Sequence, residues 1–155
     1  MRKISFTEKQ TFKIAEDFAK RLNSGGVIGL IGDLGAGKTV FVKGLAKGLK
    51  IKQTISSPTF VLMRVYKTTN PKIERLVHVD AYRIKKAHSL KGIGLDDYLD
   101  DNKTLVVIEW ANLVKEILPK NTKFIILEHS LKGRVIFLPS LSTRHKKVLK
   151  PRRQS

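Results

Sequence analysis

The sequence contains no cysteine, which excludes a disulfide framework and any thiolate chemistry. Long apolar runs are missing as well. VIGLI (residues 27–31) and LVVI (residues 105–108) are far shorter than the roughly 20 residues needed to span a bilayer. The first twelve residues, MRKISFTEKQTF, begin basic but lack the apolar core of a secretory signal. The four histidines, His78, His88, His129 and His145, show no metal-ligand spacing. From these absences a soluble cytoplasmic protein is expected, with no bilayer-spanning segment and no histidine or cysteine metal site.

Acidic residues are scarce. Thirteen Asp and Glu face thirty-one Lys and Arg, for a formal net charge of +18. Such a field favours polyanions and is screened by salt, although composition alone sets no contact geometry. The densest basic cluster is RHKKVLKPRRQS, residues 144–155, with six Lys or Arg and no acid. It reads as a flexible basic tail behind a single domain of residues 1–143.

What is present is a chain of 155 residues, 41% of them hydrophobic, enough for one domain with a sizeable core. A helix begins near Thr7, where Ser5 with Glu8, or Thr7 with Gln10, can form a capping box. Phe12, Ala15, Phe18, Ala19 and Leu22 then recur at helical spacing, with Ile14 widening the stripe. Asn23-Ser24-Gly25-Gly26 ends that helix, and residues 27–31 form a buried strand. A glycine loop and a second helix over residues 38–49, broken near Gly48, follow. Strands are expected at residues 60–66 and 75–80, joined as a hairpin through Thr69-Asn70-Pro71. LDDYL suggests a short helix, residues 104–109 a second strongly apolar strand, and residues 112–118 one amphipathic helix ended by Pro119. Strands at residues 123–128 and 134–138 close the pattern as an antiparallel edge hairpin. The expected architecture is an α/β, P-loop NTPase-like three-layer sandwich, its central sheet mainly parallel with antiparallel edge strands.

GDLGAGKT, residues 32–39, matches G-x-x-x-x-G-K-[ST] in full, with a buried strand before it and a helix after it. Glycines at such positions let backbone N–H groups turn toward phosphate oxygens. The helix start adds the positive end of its dipole. Asp33, Leu34, Gly35, Ala36, Gly37 and Val40 therefore line the phosphates with backbone. Lys38 reaches the β- and γ-phosphates, and the Thr39 hydroxyl can ligate Mg²⁺. No Asn-Lys-x-Asp follows a strand to read guanine, and no Asp-x-x-Gly switch is present. Both absences favour ATP.

A hydrolase also needs acids near the γ-phosphate, one holding Mg²⁺ through water and one orienting the attacking water. Glu109 ends the strand LVVIE and Asp80 ends the strand LVHVD, so both are candidates and their division of labour stays open. Thr59, between Pro58 and a strand, carries a hydroxyl able to sense phosphate.

In order along the chain come GDLGAGKT, SPTF (residues 57–60), HVDAYR (residues 78–83) and IEWA (residues 108–111). With this set the chain resembles the TsaE family, also called YjeE-like, bacterial P-loop ATPases of tRNA threonylcarbamoyladenosine biosynthesis. The resemblance spans roughly residues 5–140. It implies slow ATP hydrolysis with Mg²⁺, and action with a TsaB–TsaD complex whose TsaD component modifies adenosine beside the anticodon of tRNA. It implies Mg²⁺ positions at Thr39 and Glu109, an essential acid at Asp80, and a switch-like loop at residues 57–60. It further implies a tryptophan beside the active-site acid at Trp110 and a threonine near the nucleotide at Thr11. Lys38, Asp80 and Glu109 are then the catalytic set. One departure is Val40, where family members often carry a second threonine. The backbone N–H is retained there and the hydroxyl is lost. The alternatives are a P-loop small-molecule kinase, for which Arg64, Arg75 and Arg83 are available, and a basic RNA-binding protein without turnover.

Overall fold

The computed structural model describes residues 1–58 and 61–141. Thr59, Phe60 and the basic tail of residues 144–155 lie outside the described residues. Seven strands form one sheet in the order β1-β7-β6-β2-β5-β4-β3. They are β1 (Arg2–Ser5), β2 (Gly26–Ile31), β3 (Met63–Lys67), β4 (Arg75–Asp80), β5 (Thr104–Glu109), β6 (Lys123–Ser130) and β7 (Gly133–Phe137). The central four, β6, β2, β5 and β4, run parallel. β3 is antiparallel to β4 at one edge, and β7 and β1 add antiparallel strands at the other.

The alternation of side chains along β2, β4 and β5 sorts the core into two layers. Ile28, Leu30, Leu76, Leu105 and Val107 face the helices α1 (Glu8–Lys20) and α2 (Lys38–Gly48). Val27, Val77, Val79, Val106 and Ile108 face the opposite way, toward the 3₁₀ segment Ala87–Ile93, the short helix α3 (Asp96–Leu99) and Val114. α1 and α2 approach closely because α2 presents Gly44 and Gly48 to α1. A methyl group at either position would meet a backbone carbonyl, that of Phe12 or of Glu16. Gly48 thus serves packing, and the chain leaves the helix through Leu49 and Lys50, the latter at φ +61°.

The cap of α1 follows the second of the two expected boxes, with a shift. The Thr7 hydroxyl accepts from Gln10 N at 3.1 Å, and the Gln10 amide oxygen accepts from Phe6 N at 2.7 Å, one residue before the cap. β1 has no counterpart in the sequence reading, and with it the sheet edge passes from β7 to β1. RKIS has no strong apolar alternation, and it becomes a strand only because β7 offers a free edge. The single amphipathic helix expected at residues 112–118 is instead two 3₁₀ turns, Ala111–Leu113 and Lys115–Ile117. Val114 breaks the run at φ −131°, where burial of its side chain against the sheet outweighs helical continuity. The strand expected at residues 60–66 is observed at Met63–Lys67.

Candidate functional site

The parallel strands β2, β4 and β5 end on one side of the sheet, and there the chain forms a cleft of about 290 Å³. The loop after β2 supplies one wall. Gly35 and Gly37 adopt φ of +76° and +99°, left-handed values that L side chains rarely adopt, so glycine is needed at both. α2 then starts with no side chain capping its first N–H groups. With no side chain among the described residues capping it, this helix start beside the cleft suits an anion.

Lys38 is buried, 5% exposed. Its ammonium donates to the Gly32 carbonyl at 2.6 Å and the Asp33 carbonyl at 2.9 Å, and sits 4.0 Å from the centre of the Trp110 ring. Burial lowers its pKa from the ordinary lysine value, against the opposing pull of Glu109, Asp80 and Asp33. Its partners are backbone carbonyls and a ring face rather than a bonded carboxylate, so the charge stays available to an incoming anion.

The facing wall comes from the ends of β4 and β5. Asp80 and Glu109 are register partners across these strands. Glu109 is buried and held from two sides. The Thr39 hydroxyl donates to its carboxylate, with oxygens at 3.0 and 3.1 Å, and His78 Nε2 lies 2.8 Å from Oε1. Asp80 is half-buried, and its Oδ1 accepts from Tyr82 N at 3.0 Å, which turns the chain out of β4. Trp110 takes a left-handed backbone, φ +59°, an uncommon conformation for a bulky residue. That conformation places its ring over Lys38 and against Tyr82, with ring centres 4.7 Å apart.

Of the residues singled out in the sequence, Leu34, Gly35, Gly37, Lys38, Thr39, Val40, Asp80, Glu109 and Trp110 line this cleft together. Asp33 and Ala36 do not line it: Asp33 is exposed, in a separate hollow beside Glu128 and His129. The Asp33 carbonyl accepts from Ala36 N at 3.0 Å, and Ala36 is fully buried. Thr11 is buried on α1, sharing a hydrogen bond of 2.8 Å with Ser5 Oγ and accepting from Arg134 at 3.4 Å. One turn earlier on the same helix, Glu8 lines the cleft. Thr59 lies outside the described residues. Among the described residues no group of three or more His, Cys, Asp or Glu is placed to hold a metal.

Sequence reasoning passed over Glu8 and Tyr82, which line the cleft, His78, which touches Glu109, and Arg134, which packs beside Gly37. His78 carried a legible signal. In LVHVD it sits two residues before Asp80, so period two puts both on one face of an otherwise apolar strand. Arg134 carried none, because β7 reaches the loop only through the sheet order.

A parallel sheet core with a glycine loop leading from its central strand into a helix defines an α/β protein of the P-loop NTPase-like class. A crystal structure of Bacillus subtilis YdiB has this fold. It aligns with a TM-score of 0.73 at 31% identity, covering 93% of this chain and 87% of that one. The family model described as threonylcarbamoyl adenosine biosynthesis protein TsaE matches residues 5–136, and the chain belongs to that family. Relatives described as tRNA threonylcarbamoyladenosine biosynthesis protein TsaE include that of Bacillus subtilis strain 168. It is 38% identical over 122 residues, 79% of this chain and 72% of the relative. That of Rickettsia typhi is 41% identical over 113 residues, 72% and 75% respectively. Membership of the family supports a general role in ATP-dependent threonylcarbamoyladenosine biosynthesis on tRNA.

Proposed function

We propose that this chain binds ATP with Mg²⁺ in the cleft and hydrolyses it to ADP and phosphate, slowly on its own. In this reading the ATP cycle supports the modification of adenosine beside the tRNA anticodon by a TsaB–TsaD complex in the cytoplasm. The observation that carries the reading is the meeting of two walls. Lys38 and Thr39 from the glycine loop stand opposite Asp80 and Glu109 from two strand ends, with Thr39 in direct contact with Glu109.

The residues present fit the nucleotide. Uncapped N–H groups at the start of α2, together with Gly35 and Gly37, receive phosphate oxygens, and Lys38 turns from its carbonyl partners to the β- and γ-phosphates. Mg²⁺, when bound, neutralises charge developing between the β- and γ-phosphates. Thr39 Oγ and the Glu109 carboxylate are the protein groups that would hold it, the latter directly or through water. Asp80, half-buried and 3.0 Å from its own loop's N–H, keeps a carboxylate edge toward the cleft for orienting the attacking water. Val40 contributes a backbone N–H only. Leu34 and Tyr82, 75% and 50% exposed on the two sides of the cleft, give a partner apolar surface whose shape follows nucleotide state.

The deciding experiment reconstitutes this chain with the matching TsaB and TsaD. ATP turnover and repeated formation of threonylcarbamoyladenosine are measured with and without it at fixed salt. Stimulated ATPase and sustained modification are expected. No association, no stimulation and no effect on repeated modification would defeat the reading. Labelled phosphate appearing on a small acceptor would install a kinase in its place. Truncation of residues 144–155 that lowers only RNA affinity would assign the tail an electrostatic role and leave the ATPase standing.

A further inference from the structure

His78 lies in the middle of β4, between Val77 and Val79, and has no solvent exposure. A polar ring in that position must be hydrogen-bonded or it opposes folding. Only half of it is bonded. Nε2 lies 2.8 Å from Glu109 Oε1, whereas Nδ1 is buried without any hydrogen-bond partner among the described residues. An apolar side chain of similar volume would fill the space and leave no orphaned nitrogen. The ring's contribution therefore lies in its bond to Glu109 rather than in packing.

The direction of that bond follows from the orphan. With its proton on Nε2 the ring donates to the carboxylate, and Nδ1 is left as a bare acceptor. The other tautomer would bury an unpaired N–H and set a lone pair against the carboxylate, which is far worse. Glu109 thus has two donors of different kinds. The Thr39 hydroxyl has one proton, spans both oxygens at 3.0 and 3.1 Å, and sits on the loop that receives the phosphates. His78 comes from the rigid centre of the sheet and faces one oxygen only.

We infer that His78 is a positioning residue for Glu109. Its Nε2–H fixes Oε1, which would leave Oε2 free for a cation that the Thr39 oxygen could also hold. This rests on the reading of Glu109 as the acid beside Mg²⁺. His78 itself touches neither nucleotide nor metal. It acts by removing rotational freedom from a carboxylate that Thr39 alone holds reversibly.

The test uses the full chain with three variants, Glu109→Gln, His78→Leu and His78→Gln. ATP affinity is titrated by calorimetry in EDTA and across Mg²⁺ concentrations, alongside thermal melting. Glu109→Gln comes first. If it leaves the Mg²⁺ dependence unchanged, the reading of Glu109 fails and the inference with it. Given a loss there, His78→Leu is expected to keep metal-free ATP affinity and to need roughly 10–100-fold more Mg²⁺ for the same gain. His78→Gln, which restores an N–H near the same point, recovers most of that loss. Wild-type Mg²⁺ dependence in His78→Leu, or equal losses in both His78 variants, overturns the inference while leaving Glu109 in place. Should His78→Leu not fold, imidazole ¹⁵N resonances of the wild type decide. A proton on Nε2 whose signal moves in Glu109→Gln supports positioning, and a proton on Nδ1 or an unmoved signal overturns it.

Discussion

The two walls of the cleft are assembled over very different distances along the chain. The glycine-loop wall comes from eight consecutive residues, Gly32 to Thr39, whose shape comes from backbone: positive φ at Gly35 and Gly37, then the uncapped start of α2. The acidic wall has no local integrity. His78 and Glu109 are 31 positions apart, and Thr39 and Glu109 are 70. They meet because β4 and β5 pair in a register that sets Asp80 beside Glu109, and because β2 pairs β5 so that Leu30 sits beside Glu109. A slip of one residue in either pairing would turn these side chains to the opposite face. The first wall is therefore a property of a segment and the second a property of the sheet. Substitutions in the first should act on nucleotide affinity, and those in the second on metal dependence and turnover.

The largest effect is expected on the local wall. Lys38→Ala should weaken ATP binding by about 2–5 kcal/mol, the cost of losing a buried charge-assisted phosphate contact. Folding should be retained, because among the described residues the ammonium is held by two carbonyls and a ring face. Calorimetry on protein with an unchanged circular dichroism spectrum checks this, and unaltered affinity would break the comparison at its strongest point.

Next come the two acids, which separate functions within the sheet-built wall. Glu109→Gln should lose the part of ATP affinity that depends on Mg²⁺. Asp80→Asn should bind ATP nearly as before and lose roughly 10²–10⁴-fold in single-turnover hydrolysis, the range for a positioned acid or base. Wild-type turnover in both variants would remove the acidic wall from the mechanism.

Smaller is the optical change expected where the walls touch. Trp110 stands over Lys38 and against Tyr82, so phosphates that draw the ammonium away should alter its surroundings. Titration with MgATP should change intrinsic fluorescence, and Tyr82→Ala should reduce the amplitude without abolishing binding. A flat trace with binding confirmed calorimetrically would uncouple Trp110 from the nucleotide.

The smallest effect lies at the other end of β5, away from the chemistry. There the Thr104 hydroxyl, the Lys103 N–H and Arg75 hold the Asp101 carboxyl below its ordinary value of 3.8. A depressed carboxylate pKa stabilises the fold above the unfolded value, and that contribution is lost as pH falls through the folded value. Asp101→Asn should flatten the acid side of the stability profile in denaturant melts between neutral pH and pH 3, while leaving ATP affinity at neutral pH unchanged. A change in nucleotide affinity would show the two ends of β5 to be coupled.

Legibility in the sequence follows the same division. β4 and β5 coincide with the expected residues 75–80 and 104–109, and α2 with the helix after the glycine loop, because each carries its own apolar pattern or motif. β1 and the two 3₁₀ turns after Trp110 were not legible, since a free strand edge and a buried Val114 decide them. His78 was legible as a polar interruption of an apolar strand but not as a partner of Glu109. Arg134 was not legible at all.

The sequence by itself determined the glycine loop, the class of fold and the strand ends that carry Asp80 and Glu109. Those features rest on glycine conformations and hydrophobic periods that act within a few residues. Only the tertiary structure decided that Glu109 meets Thr39 and His78, that Trp110 covers Lys38, and that Thr11 meets Ser5 and Arg134. Contacts between residues 31 or 70 positions apart depend on sheet order and register, and these are set by the joint burial of both core layers, which no single segment encodes.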